Sequence, residues 1–446
     1  MRGGTASDWR AAPLLDRVGQ WATLCLPLFL THWRGVAEGL IDGLAVVFLL
    51  RSAMLGDWWW SRSPWFAASV LWWVWTVLCS LPFAGMGTGG ESFLQAVMLV
   101  RFPVMVAALS CWTLRDARMR RWMAVIVSGC AVYIALQIVF QAVAGFNMFG
   151  DVPPPDGTLT GPYREPRAAA PLSRLLPPVA FLACALIRAR VHRAAPRWMA
   201  TAAVLLAGCG VMVLAGQRMP LLLTGMGLLA GALILRELRG PALGVLACVP
   251  LLVGALSVAR PAAFFHLVMK FRAQMSDFAA SHYGLIYDRV LVMAGANPLT
   301  GLGFDAFRYF CADPRFFAPG PFGTRPDGGG AGICVQHAHN HYLQALSDSG
   351  VPGLILFAAM VAAWLTTLAR GLGDGRQAAT TRAWRVGLFV AVLIQEWPLA
   401  SSSAFTNMPL GGWAFMLLGL GLGEYNAYMA AQAEQTEGRE HVRDHR

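Results

Sequence analysis

Residues 335–370 read VQHAHNHYLQALSDSGVPGLILFAAMVAAWLTTLAR, and the stretch changes character halfway. Its second half is almost wholly apolar and stops at Arg370. Counted from His341 to Ala369, it is long enough as a helix to cross roughly 30 Å of hydrocarbon. The first half puts His337, His339 and His341 on alternate positions at the lip of that helix. Imidazoles placed where a span meets water need a reason, and the rest of the sequence supplies the frame for one.

Of the 446 residues 57% are hydrophobic and only 13% charged, well outside the range of a soluble globular domain. Apolar stretches of about 17 to 25 residues recur between charged or Pro/Gly-rich joints, and about twelve spans can be drawn. They lie near 18–33, 35–51, 65–84, 92–113, 122–144, 171–188, 197–215, 219–235, 241–259, 341–369, 384–400 and 411–430. The expected fold is an all-α polytopic membrane protein, a single integral membrane unit over residues 1–446. The formal net charge of +11 does not point to nucleic acid, because the arginines gather in joints rather than on one solvated face. Lys270 is the lone lysine, a compositional bias without functional weight. The first apolar segment lacks a small-residue cleavage site and is expected to stay.

Alternate joints carry the positive charge: Arg2, Arg10 and Arg17; Arg51 and Arg62; Arg115, Arg118, Arg120 and Arg121; Arg188, Arg190, Arg193 and Arg197; Arg236 and Arg239; Arg370, Arg376, Arg382 and Arg385; Arg439, Arg443 and Arg446. The positive-inside rule puts these in the cytoplasm with both termini. The turn LPFAGMGTGGES over 81–92, the loop 146–167, the joint at Arg218, the stretch 260–340 and the turn near Ser401 then face out, and His339 with them.

Residues 260–340 are too few to support a core of their own and are expected to lie over the bundle as a lid that forms part of the site. Within them HYGLIYDRVLVMAGANP has the apolar spacing of a helix that ends at Asn297 and Pro298. PRFFAPGPFGTRPDGGGAG is too rich in Pro and Gly for regular structure and reads as a flexible crossing. Cys311 and Cys334 bracket it; on an oxidising side they either close it as a disulfide or stay two free thiols. The three histidines would share a face on an extended strand, as metal ligands must, but a helix spreads them apart. No nearby Asp, Glu or Cys cluster completes a shell, so neither metal nor cofactor is expected. His337 and His341 suit the role of interfacial polar residues capping the helix.

His339 stands apart through its spacing to a pair of glycines: Asn340 is next, then come nine residues, Gly350, two more, and Gly353. Earlier in the chain AGQRMPLL carries Arg218, and DRVLVMAGANPLTGLGFDAF carries Arg289 ahead of Pro298, Gly301, Gly303 and Phe304. In this order, and all on the expected outer side, the three marks resemble the O-antigen ligase family of bacterial membrane glycosyltransferases. The match spans Arg218 to Gly353, with one departure: Gln217 and Met219 stand where small or hydroxyl residues are common. The resemblance implies a GT-C-like helical bundle in the bacterial inner membrane, with its site facing the periplasm. It also implies a donor glycan on undecaprenyl diphosphate, and lipid A-core or another glycan as acceptor among membrane lipids. His339 would be the general base, and Arg218 and Arg289 would bind the diphosphate. The chemistry of those residue types agrees. Guanidinium groups stay charged and offer a planar fork of donors to phosphate oxygens, standing in for a metal at the leaving group. An imidazole with a reference pKa of about 6.5 is neutral enough near pH 7 to take a hydroxyl proton. Direct displacement without an enzyme nucleophile means inversion at the anomeric carbon.

Other intramembrane polar residues are also candidates. Arg101 falls near mid-membrane, where it either lines the substrate cavity or forms a salt bridge to Glu38 or Asp42. Glu396 is placed to orient His339 or an incoming acceptor; Asn340, Tyr342 and Gln344 are expected to shape the pocket. Gly350 and Gly353 read as a kink or close contact that holds His339 in place. Two related readings share the donor: a polymerase, whose acceptor is a second lipid-linked repeat unit, and a protein O-oligosaccharyltransferase, which the short tail AEQTEGREHVRDHR disfavours. A lipid or anion transporter is the reading from another class; it should show internal repeats and broken spans near the midplane.

Overall fold

The computed structural model of the chain describes residues 8–81, 90–323, 325–408 and 410–444, with side chains from 13 to 436 within those stretches. Arg2, Arg446 and most of the turn over 81–92 lie outside the described residues, as do the side chains of Arg10, Arg439 and Arg443. The stretches expected to span are helical over most of their described length, though 396–400 are not: α1 (Asp8–His32), α2 (Arg34–Leu55), α3 (Pro64–Cys79), α4 (Gly90–Met98) running on into α5 (Arg101–Ala108), α6 (Ala117–Ala144), α7 (Ala169–Arg190), α8 (Ala194–Ala215), α9 (Arg218–Ile234) and α10 (Arg239–Ala259). After the short α11 (Pro261–Phe264), α12 (Lys270–Ser276), α13 (His282–Ala296) and α14 (Ala306–Phe310) come α15 (His341–Ala369), α16 (Ala379–Gln395) and α17 (Leu410–Asp444). Six helical stretches among the described residues are long and apolar enough to cross a membrane, and α3 and α9 are shorter apolar helices. This is an all-α polytopic membrane protein.

Helix starts follow local chemistry. Asp116, Ser281 and Asn340 each sit in extended backbone and accept a hydrogen bond from the first turn of α6, α13 and α15 respectively. The joints sort to two ends of the bundle. At one end Arg51 pairs with Asp16, Arg120 with Glu424 and Arg382 with Glu237, all between arginine-bearing joints. At the other, Leu159 donates to the Ala215 carbonyl (3.1 Å) and Ser402 to the His339 carbonyl (2.8 Å). There too Ser92 donates to the Phe304 carbonyl (2.8 Å).

The stretch 260–340 packs over that second end around a small core built from Leu285, Val290, Met293, Phe307, Phe310 and Ile333. Its Pro/Gly-rich crossing is not loose, contrary to the sequence expectation. The Asp288 carboxylate accepts from Gly320 N (3.1 Å) and Phe322 N (2.9 Å), and the Cys311–Cys334 disulfide closes its base. Backbone donors with no regular ladder find their partner in one buried carboxylate.

Helix α15 is broken at Ser349 and Gly350, the latter at φ 67° and ψ −169°. The turn over 297–303 fills the break: Val351 N donates to the Pro298 carbonyl (2.7 Å), Leu302 N to Ser347 (2.9 Å) and Gly303 N to Asp348 (2.9 Å). The approach needs glycine on both sides. A Cβ on Gly301 would stand 2.5 Å from the Asp348 carbonyl carbon, and one on Gly350 would stand 2.5 Å from that of Leu299. On Gly353 a Cβ would fall 1.9 Å from Ser349 Oγ. The paired glycine motifs are thus two halves of one backbone junction. Gly350→Ala combines a left-handed backbone with this clash, and it should cost about 2–4 kcal/mol. The measurement is the melting temperature of the detergent-purified protein, and a melt equal to wild type would contradict the junction.

Candidate functional site

The three histidines are held by the joint between α16 and α17. Asn340 Oδ1 accepts from Tyr342 N and Leu343 N (3.0 Å each), while its Nδ2 donates to the Pro398 carbonyl at 2.7 Å. Asn340 is therefore fully used as a cap and staple. Tyr342 hydroxyl donates to the Glu396 carbonyl (2.8 Å). Gln344 ties the loop inward, accepting from Ala338 N (3.0 Å) and donating to Asp348 Oδ1 (2.8 Å).

Glu396 does not meet His339. Its carboxylate lies 2.9 Å from His341 Nδ1, and His341 Nε2 lies 3.1 Å from the Ser403 carbonyl, with both side chains buried. A carbonyl only accepts, so Nε2 is the donor to Ser403, and Nδ1 is engaged by the carboxylate. Neither His341 nitrogen has a lone pair left for a substrate.

His339 is different. Its backbone is left-handed at φ 56°, unusual for a residue with a side chain and held by the Ser402 hydrogen bond to its carbonyl. Its ring stands 4.3 Å from that of His337 and 5.3 Å from that of Tyr283. Burial, with the neighbouring His282, holds its imidazole below the usual value against an opposing hydrogen bond to the Ser402 backbone. Burial also pushes His337 down to about 4, helped by His339 and His341. Both rings are thus neutral near pH 7.

Of the pair, His337 lines a polar cavity, whereas His339 is outside its lining and stands beside Tyr283. The cavity has a volume of about 570 Å³, within the range of small-molecule sites. His337, His341 and Gln336 form one wall of it, and Arg34, Glu38 and Arg101 another. Arg101 Nη1 pairs with Asp42 (3.3 Å), and Glu38 pairs instead with Arg34 (3.0 Å). Asp305, at the N-cap position of α14, and Arg308, within that helix, also line the cavity, 3.6 Å apart. Burial pushes the Asp305 carboxyl up to about 6, with Arg308 opposing. Among the described residues, no three His, Cys, Asp or Glu side chains are grouped to hold a metal.

Arg218, at the start of α9, donates to Gln274 Oε1 and also faces Tyr283. Beside it burial and the charges of Arg218 and Lys270 hold His266 below its usual value, against Asp156 at 3.4 Å. Arg218 is not part of the cavity wall, and neither is Arg289. Arg289 is 1% exposed and lies 4.7 Å from the Phe317 ring. It donates to the carbonyls of Cys311, Asp327, Gly328 and Gly330. Its Nη1 and Nη2 are given to the crossing loop, while its Nε is buried without a partner. Sequence reasoning considered Asp305 only as an ion-pair partner for Arg218 or Arg289, and passed over Arg34 and Arg308. The only local signal for Asp305 is its place directly after Gly303 and Phe304.

Residues 202–358 match the family model described as O-antigen ligase. The matched segment contains Arg218, Arg289, the three histidines and both halves of the glycine junction. No curated protein matches the chain.

Removing Arg289 leaves buried carbonyls without donors, a change in the class that costs about 3–5 kcal/mol. Arg289→Ala should release residues 311–334 to fast hydrogen exchange, and Arg289→Lys should not restore protection, because one ammonium cannot fan to all four carbonyls. Wild-type protection in Arg289→Ala would contradict this placement.

Proposed function

With the O-antigen ligase segment as premise, we propose that the chain transfers a glycan from undecaprenyl diphosphate to a sugar hydroxyl of lipid A-core, on the periplasmic face of the inner membrane. The observation that carries this reading is the position of the histidine pair, with His339 and Arg218 both beside Tyr283 and His337 on the wall of the polar cavity. The family match supports a membrane glycosyltransferase of the ligase or polymerase type.

In this reading Arg218 grips the diphosphate, and the cation-rich face around Lys270 adds to the local positive potential. The acceptor hydroxyl attacks the anomeric carbon and gives its proton to His339. The bond from that carbon to the diphosphate oxygen breaks, and its electron pair leaves on the diphosphate. His341 cannot serve as the base, since both its nitrogens are engaged; paired with Glu396, it holds the loop in which His339 is set. Arg289 contributes by fixing the lid rather than by touching phosphate. Asn340 and Tyr342 act as staples, and Arg101 belongs to the cavity.

The test uses membranes from a deletion strain carrying wild type or His339→Ala, with lipopolysaccharide ladders and lipid-linked precursor read together. His339→Ala should abolish the ladder while full-length lipid-linked glycan accumulates. A precursor stopped at a single repeat would mean a polymerase, and normal transfer would remove His339 as base. The sign of the His339 shift adds a second expectation. A base whose pKa is lowered stays unprotonated further into acid, so the acid limb of kcat/KM should fall below about pH 6.5. An acid limb above that value would contradict the assignment.

A further inference from the structure

The cavity beside His337 has a mouth, a floor and one carboxylate whose placement is unexplained by folding alone. Leu94 (62% exposed) and Met98 (43%) on α4 stand at its edge, as does Arg34 at the start of α2. Apolar side chains exposed at this edge suit an opening toward lipid, at the same end as the histidines. The cavity runs inward to Arg101, whose Nε is buried without a partner. Trp72, Phe102, Phe357 and Phe405 form its apolar floor, and Gln95 and Gln336 offer amides. Aromatic faces with carboxylate and amide groups match the apolar faces and hydroxyls of a sugar. Arg34 at that mouth, paired with Glu38, has donors left over for a phosphate on the anchor.

Asp305 occupies the N-cap position of α14, yet its side chain caps nothing. The cap is supplied from another helix: Asp348 Oδ1 accepts from Ala306 N at 2.9 Å. Asp305 is meanwhile held in a left-handed backbone at φ 62°, a conformation costly for any residue with a side chain. Its carboxylate is thus left to the cavity, with Arg308 at 3.6 Å. An aspartate relieved of its local duty and held in strained backbone is placed for a ligand.

We propose that this cavity is the acceptor subsite: it takes the sugar of a membrane-anchored glycolipid entering between α2 and α4, and Asp305 binds that sugar's hydroxyls so that one of them faces the histidine pair. The inference rests on the glycosyl-transfer reading and adds a division of labour to it, with the donor diphosphate on the Arg218 side and the acceptor on the Asp305 side.

The experiment uses the full chain in nanodiscs, with lipid-linked glycan extracted from the deletion strain as donor and purified lipid A-core as acceptor. Two variants are compared with wild type, Asp305→Asn, which keeps shape and removes the charge, and Leu94→Trp, which narrows the mouth from an exposed position. Both should melt as wild type does. Each should raise the KM for lipid A-core about tenfold and leave that for donor within about twofold. A raised donor KM with the acceptor KM unchanged would make this the donor's cavity, and no change in either would remove it from substrate binding. Direct titration of lipid A-core against wild type and Asp305→Asn keeps the two readings apart. Absence of transfer by wild type would defeat the glycosyl-transfer reading, whereas equal lipid A-core affinity in both proteins would defeat the subsite.

Discussion

The site depends on a break in a membrane helix that another segment repairs. At Ser349 and Gly350 the α15 ladder stops, and backbone groups there have no water to turn to. The turn over 297–303 supplies the missing partners through Pro298, Leu302 and Gly303. This one junction fixes the position of the lid against the bundle. It also sets the direction of the first two turns of α15, which carry His341, Gln344 and Asp348. The same turn ends in Asp305, so the cavity's carboxylate and the histidine loop are held to a common frame through Gln344 and Asp348. A transporter would also be expected to have broken spans, but here the break lies near the histidine-bearing end of α15 and is closed by the chain's own backbone.

Much of the fold was legible because membrane helices obey one-dimensional rules. Apolar length gave the helices, and the arginine joints that alternate in sequence meet at one end of the bundle through pairs such as Arg382 with Glu237. The glycine motifs were legible as tight contacts, though not as two halves of the same contact, since nothing local to Gly301 names Gly350 as its partner.

The site was less legible, for the same reason in each case. Arginine has the same signature whether its fork meets phosphate or carbonyls, and the partners of Arg289 lie far along the chain in a segment whose composition suggested disorder rather than acceptors. Glu396 was expected to serve His339 because both lie at the outer lip. Two positions further on, His341 takes it instead and is buried with it, while the ring of His339 stands beside Tyr283. Asp305 was hidden because capping residues are common after glycine turns, and only the structure shows Asp348 doing that work.

The proposed reaction makes a simple chemical demand: the attacking hydroxyl must approach the anomeric carbon from the side opposite the leaving diphosphate. The most direct measurement is the anomeric configuration of the linkage that the purified chain forms, compared by NMR with that of its lipid-linked donor. Single displacement with His339 as base predicts inversion. Retention would require a covalent enzyme intermediate or a different geometry, and would contradict the central claim.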